Sequence, residues 1–302
     1  MATKLIRMEE AINRFVHDGD TIVIEGFTHL ICFAAAHEII RQRRRGLTLC
    51  RLTPDLIYDQ LIGAGCAQKL VFSWAGNPGA GPLYAFRRAV EQGLPHQLEL
   101  EEYSHYGMVA RLTAGAAKLP FYPLRNYMGS DLPGVNPQIK TVACPFTGEE
   151  LAAVPALNPD TAIIHAQRAD ENGNAQVWGL LGVQKEAAFA SRNTIVVAEE
   201  IVPESVIRSD PNRTLIPGLI VDAVVCEPFG CHPSYAQGYY DRDNAFYLRW
   251  REISKDVARF DSYLDEWVFG VRDRAEYIER MGTSLTDLKA RTRLSTAVNY
   301  GY

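Results

Sequence analysis

The stretch Thr21-Ile22-Val23-Ile24-Glu25-Gly26-Phe27-Thr28-His29 carries the first candidate chemistry. A β-branched run stops at a glycine, and small, aromatic and polar residues follow. Glycine at the carboxyl end of a strand lets backbone N–H groups approach a ligand oxygen with no Cβ in the way. The loop from Gly26 to Leu30 is therefore expected to line an active site, with Gly26, Phe27, Thr28 and His29 beside the substrate. An ordinary strand-to-helix turn, with glycine there for steric reasons only, explains the same residues. Ser104 and His105 follow the fourth expected strand, Gln97–Tyr103. A histidine in that place can orient a substrate, donate to a developing oxyanion or exchange a proton; it can also be satisfied by neighbouring backbone. Asn77 and Gly79 lie in Ala75–Pro82, a segment too rich in glycine and proline for regular structure. The Asn77 amide can aim at a carbonyl, or form an Asn-Pro turn. Arg125 can clamp a carboxylate in bidentate fashion or make a structural ion pair. His165 and His232 stand at strand ends. Pro233 after His232 points to a fixed turn, and no motif supports a metal site.

These residues need a frame. Residues 8–16 have helical spacing of apolar positions, and Cys32–Arg41 reads as the helix after the first strand. Leu47–Leu52, Lys69–Trp74 and Gln97–Tyr103 read as strands. Asp55–Ile62, Tyr84–Glu91 and Met108–Ala117 read as the helices between and after them. Strand–loop–helix units in a row predict a mostly parallel sheet with right-handed crossovers. In such sheets ligands bind outside the carboxyl ends of the strands. Leu119–Leu124 is extended, and Arg125–Cys144 is expected to be a long irregular segment. Ala152–Val154, Thr161–His165, Thr194–Glu199 and Ile220–Cys226 are further strands. Ala175–Trp178 pairs back across a turn, and Val183–Ser191 is a helix. The fold class is thus α/β, an open, mostly parallel sheet with flanking helices. Residues 1–244 are expected to form the α/β domain, and 245–302 a charged helical extension packing on the core or on a partner.

The chain of 302 residues is 47% hydrophobic, enough for a sizeable core. Its net charge of −5 is scattered, which argues against a nucleic-acid surface. The one dense basic run, Arg41–Arg45, closes a helix, where cations complement the dipole. None of the six cysteines forms a C-x-x-C pair, and most lie in apolar surroundings, as reduced buried thiols do. No signal peptide and no membrane span is read, so the expectation is a cytoplasmic protein. P-loop, G-x-G-x-x-G and G-x-S-x-G motifs are absent from the sequence.

Taken together, several short pieces resemble the A (alpha) subunit of class I CoA-transferases, most closely those acting on 3-oxoadipate and glutaconate. They are Glu25-Gly26-Phe27-Thr28-His29-Leu30, Leu61-Ile62-Gly63-Ala64-Gly65, Leu119-Pro120-Phe121, Ile164-His165-Ala166-Gln167, Asp222-Ala223-Val224-Val225, and His232-Pro233-Ser234 through Tyr240–Asn244. The resemblance runs from Met8 to about Arg280. It implies ping-pong transfer of CoA from an acyl-CoA to a carboxylic acid through an acyl-glutamyl anhydride and a glutamyl-CoA thioester. The glutamate belongs to the B (beta) subunit, and no segment here matches that motif; Glu25 falls on the glycine loop instead. No permanently bound cofactor is implied, coenzyme A entering as a substrate. The resemblance also implies an A2B2 or larger assembly. By resemblance, Gly26, Phe27 and Thr28 lie near the anhydride, Asn77 lies on a loop facing the same cleft, and Ser104 and His105 occupy the loop where relatives carry a glutamine. Two other functions compete. A CoA-ester hydrolase of this fold carries an acid in that loop, which here reads Ser104-His105-Tyr106. A non-catalytic scaffold has no need for Gly26 or Gly79.

Overall fold

Local signals account for the first half of the chain. The structure, a computed structural model, describes residues 3–290, so the last twelve residues of the expected extension lie outside it. Helix α1 (Met8–Phe15) leads into β1 (Thr21–Glu25), α2 (Phe33–Arg41), β2 (Leu47–Cys50), α3 (Leu56–Gly63), β3 (Ala67–Phe72), α4 (Tyr84–Gln92), β4 (Glu99–Glu102) and α5 (His105–Ala116). Side-chain caps set two of these helix starts. Asp55 accepts from the Ile57 N–H at α3, and Ser104 from the Gly107 N–H at α5. Strands β1 to β4 lie side by side in parallel. The outermost, β4, is largely exposed Glu-Leu-Glu-Glu, and its charge discourages a further strand from pairing.

The next segment departs from expectation. Residues 125–144 are not irregular throughout. After β5 (Phe121–Leu124) they contain α6 (Leu132–Val135) and β6 (Lys140–Ala143), and β7 (Glu150–Pro155) then runs antiparallel between β5 and β6. The signal was missing because Lys140–Ala143 has no buried face and so no alternation of apolar and polar residues.

The chain then returns to the main sheet. It runs through β8 (Thr161–Ala169), β9 (Ala175–Gln176), α7 (Gln184–Ala190), β10 (Asn193–Ile201), α8 (Glu204–Ser209), β11 (Thr214–Ile216) and β12 (Ala223–Cys226). β8 pairs in parallel with both β1 and β10, and β10 with β12. The parallel order is therefore β4-β3-β2-β1-β8-β10-β12. β9 folds back antiparallel on the end of β8, as the sequence predicts, and β11 joins it. Strand order reverses between β1 and β8, and a crevice opens at such a switch point beyond the carboxyl ends.

Successive strand residues feed two cores. Ile22, Ile24, Leu49, Ile163 and Val197 pack with α1 to α4; Val23, Cys50, Ile164 and Val196 pack with α5, α7 and the small sheet. The C-terminal helices, α9 (Asn244–Lys255), α10 (Val257–Leu264), α11 (Arg274–Met281) and α12 (Ser284–Leu288), follow. α9 and α10 put Phe246, Trp250, Phe260 and Tyr263 into the first core. Gly63 makes the close approach possible, since a Cβ there would lie 2.3 Å from the Phe260 ring. Trp250 is fully buried, and its indole N–H donates to Asp59 at 2.9 Å. Among the described residues no helix is long and apolar enough to cross a membrane.

Trp250→Ala empties this aromatic cluster and leaves the buried Asp59 carboxyl short of a donor. The expected cost is about 3–5 kcal/mol, read as a lower urea midpoint; a loss below about 1 kcal/mol would mean that the C-terminal helices add little to the core.

Candidate active site

The glycine loop lies at the switch point, where β1 ends. Gly26 is needed for space. A Cβ there would meet the carbonyl oxygens of His29 and Leu30 at 2.5 and 2.6 Å, and backbone cannot move aside cheaply. The loop is also held in costly geometry, with Thr28 at φ 56° and Leu30 at φ 55°. A second segment, residues 229–240, keeps it there. The Leu30 N–H donates to the Tyr235 carbonyl at 3.0 Å, and Ser234 Oγ donates to the Thr28 carbonyl at 3.0 Å. The Gln237 N–H donates to His29 Nε2 at 2.9 Å, so the hydrogen of that ring sits on Nδ1, which donates to the Leu180 carbonyl at 3.2 Å. His29 is fully buried, and burial pulls its pKa down to about 4. Both ring nitrogens are spent on backbone, so the expectation that His29 meets substrate gives way to a role in shaping the loop. Phe27 and Thr28 are half-buried at the loop's apex.

The holding segment is anchored in turn. Arg274 of α11 donates to the carbonyls of Phe229 and His232. His232 lies between the Tyr277 hydroxyl, 2.8 Å from Nδ1, and Asp243, 3.2 Å from Nε2. This is the fixed turn that Pro233 suggests. Beneath it, Glu199 accepts from His165 Nε2 at 2.8 Å, from the Phe229 N–H at 2.7 Å and from the Tyr240 hydroxyl. His165, Glu199 and Cys231 are close enough to hold a metal ion. The three hydrogen bonds already occupy the carboxylate, and the trio reads as a structural network.

Under the loop lies a buried charge cluster that sequence reasoning did not single out. Arg51 is 1% exposed, bonds Asp55 at 3.0 Å and donates to the Gly26 carbonyl. Glu25 is equally buried, and desolvation, only partly offset by the Arg51 charge, raises its pKa to about 7. One of its carboxyl oxygens has no hydrogen-bond partner among the described residues.

The other predicted residues divide. Ser104 is the N-cap of α5, its Oγ accepting from the Gly107 N–H at 3.0 Å and from Asn126 Nδ2 at 2.6 Å. Asn77 is 2% exposed and donates to the Tyr247 carbonyl at 2.8 Å, inside a tight turn closed by Gly81. Gly79, at φ 77°, is the exposed tip of that turn. Arg125 is exposed and bound through both arms to Glu149, at 2.7 and 2.6 Å. Its guanidinium fork is filled, which favours the structural ion pair over the carboxylate clamp. Of the predicted histidines, His105 is the one exposed at a strand end. Its ring bridges Ser73 Oγ at 3.0 Å and Thr53 Oγ1 at 3.3 Å. Neither hydroxyl was singled out from sequence, since each is one polar residue at an ordinary strand end. Trp74 after β3, Tyr106 in the first turn of α5, and Leu180 and Leu181 between β9 and α7 are 43–53% exposed.

The tight glycine loop follows β1 and the exposed imidazole of His105 follows β4, so both stand at carboxyl ends of the parallel strands, where ligands bind in such sheets. Comparison with known proteins identifies the family. Residues 5–227 match the model of the coenzyme A transferase family, and the chain belongs to that family. It is 54% identical to the A subunit of 3-oxoadipate CoA-transferase from Pseudomonas knackmussii, over 91% of this chain and 96% of that protein. The crystal structure of glutaconate CoA-transferase from Acidaminococcus fermentans superposes with a TM-score of 0.89 at 35% identity, covering 95% of this chain and 96% of that one. A more distant relative, at 30% identity over 89% of this chain and 93% of its own length, is a cholesterol ring-cleaving hydrolase subunit of Rhodococcus jostii.

The raised Glu25 pKa has a consequence for stability. Below about pH 4.5 the group is protonated both folded and unfolded. As pH rises towards 7 the unfolded chain releases that proton while the folded chain retains it, so stability falls across this window. Glu25→Gln does not titrate and is expected to gain on wild type by up to on the order of 3 kcal/mol above pH 7. Urea unfolding at pH 5 and pH 8 checks this, the gain of the variant being the larger at pH 8; an equal difference at both would reject it.

Proposed function

We propose that this chain is the A subunit of a heteromeric enzyme that moves CoA from an acyl-CoA such as succinyl-CoA to a dicarboxylic or oxo acid of the 3-oxoadipate or glutaconate kind. The observation that carries the reading is the 54% identity, over nearly the whole chain, to the A subunit of a 3-oxoadipate CoA-transferase. In this reading a glutamate supplied by a B subunit makes the attack on the thioester, CoA thiolate displaces the acyl group from the resulting anhydride, and the acceptor acid reverses the steps. The site of this chain suits the opposite wall. Glu25 and Asp55, the carboxylates beside the glycine loop, are both 1% exposed and poorly placed to attack, which favours a nucleophile brought from outside. The exposed apolar side chains of Trp74, Tyr106, Leu180 and Leu181 are suited to cover by a partner. We take the assembly to be A2B2 or larger, cytoplasmic, without a bound cofactor, and active in the breakdown of aromatic compounds. Transfer is preferred to hydrolysis because the loop after β4 offers His105 and no acid. His105 would then stabilise the oxyanion of the reacting carbonyl.

The complex with its B subunit is to be incubated with succinyl-CoA, with and without 3-oxoadipate, and every CoA species followed by mass spectrometry. The expected result is a new CoA ester that appears only with the acid, and none from this chain alone. Free CoA released equally in both samples would establish a hydrolase. His105→Ala is expected to lower turnover on the order of a hundredfold in an intact complex, and unchanged turnover would remove it from the mechanism.

A further inference from the structure

The two nitrogens of His105 are not equivalent, and the hydrogen bonds around them settle which one carries the hydrogen. A serine hydroxyl has a single hydrogen to donate. In Ser73 that hydrogen is committed, because Oγ lies 2.6 Å from the Leu52 carbonyl oxygen, which can only accept. Towards His105 Nδ1, 3.0 Å away, Ser73 Oγ has only lone pairs to offer. The hydrogen between them therefore belongs to Nδ1. In the neutral ring Nε2 is then bare, and it accepts from the Thr53 hydroxyl at 3.3 Å. An unconstrained histidine ring in water favours the opposite arrangement, with the hydrogen on Nε2.

The parts that impose this come from three adjacent strand ends. Thr53 follows β2, Ser73 follows β3 and His105 follows β4. They are locked together by backbone. The Leu52 carbonyl also accepts from the N–H groups of Ser73 and Trp74, each at 3.2 Å, and the Tyr103 N–H donates to the Phe72 carbonyl at 2.8 Å. The α5 cap, Ser104, fixes the start of the helix that carries the ring.

We propose that Ser73 is a positioning residue for His105. By accepting from Nδ1–H it fixes the tautomer and the direction of the ring, and leaves Nε2, with the Thr53 hydroxyl beside it, as the group that meets the reacting carbonyl. This rests on the reading that His105 faces that carbonyl. It narrows the chemistry, since the neutral ring cannot donate from Nε2. An oxyanion is met either by Nε2–H of the protonated ring or by the Thr53 hydroxyl turned away from Nε2.

The test reads the tautomer directly. The full chain is labelled with 15N-histidine, and two-bond proton–nitrogen correlations are followed as the pH is raised until the ring is neutral, the His105 signals being identified by their loss in H105Q. The Nδ1–H pattern is expected in the wild type and in S73T, which keeps the hydroxyl, with a shift towards Nε2–H in S73A. In the complex with the B subunit, S73A is expected to lower kcat about tenfold with little change in KM, part of the roughly hundredfold or more that a positioned acid–base group contributes, and S73T to restore it. An Nε2–H pattern in the wild type overturns the proposal, as does an unchanged pattern in S73A. If S73A does not fold, the wild-type pattern decides alone. The spectra need no substrate, so a complex that fails to transfer CoA would count against the proposed function and leave the tautomer assignment standing.

Discussion

The close approach of two backbones at Gly26 is the constraint on which the rest of this site depends. Only a residue without Cβ lets the chain turn back so that the His29 and Leu30 carbonyls pass over it. That turn puts Thr28 and Leu30 at positive φ, a geometry neither side chain favours. The cost is met from outside the loop, by the hydrogen bonds from Ser234, Leu30 and Gln237 that tie it to residues 229–240. Those residues are held by Arg274, Tyr277 and Asp243. The C-terminal helices thus reach the glycine loop through a chain of named contacts, although they lie beyond the region that matches the family model.

Burial assigns different work to groups of the same type. Glu25 and Asp55 sit in one cluster with Arg51, where desolvation disfavours the charged carboxyl. His29 is kept neutral by the same effect, and its two nitrogens serve as a fixed donor and acceptor for backbone. His105, after β4, is exposed and bonded to hydroxyl groups. Two histidines, one after β1 and one after β4, therefore do unlike things: one holds the loop, and the other is exposed.

Much of the frame was legible in the sequence. Strand β1, the glycine at its end and helix α2 have local signals: a β-branched run, a punctuating residue and apolar spacing. The pairing-back of Ala175 and Gln176 was readable from the turn before it. Strand β6 was not, because a short strand with both faces in water has no pattern to show. The site was less legible than the fold. Arg125 and Asn77 have the right chemistry for a substrate contact, yet Glu149 fills the one and the Tyr247 carbonyl engages the other.

Residue order by itself determined the succession of strand–loop–helix units, the place of the glycine loop and the presence of a histidine after β4, because each is specified by neighbours along the chain. Only the tertiary structure decided that β8 lies beside β1, that His29 is bound by residues 180 and 237, and that Thr53 and Ser73 flank the His105 ring. These contacts join residues 32 to 208 positions apart. Which side chains meet at that range depends on strand order and on the packing of whole layers, and nothing local in the chain encodes it.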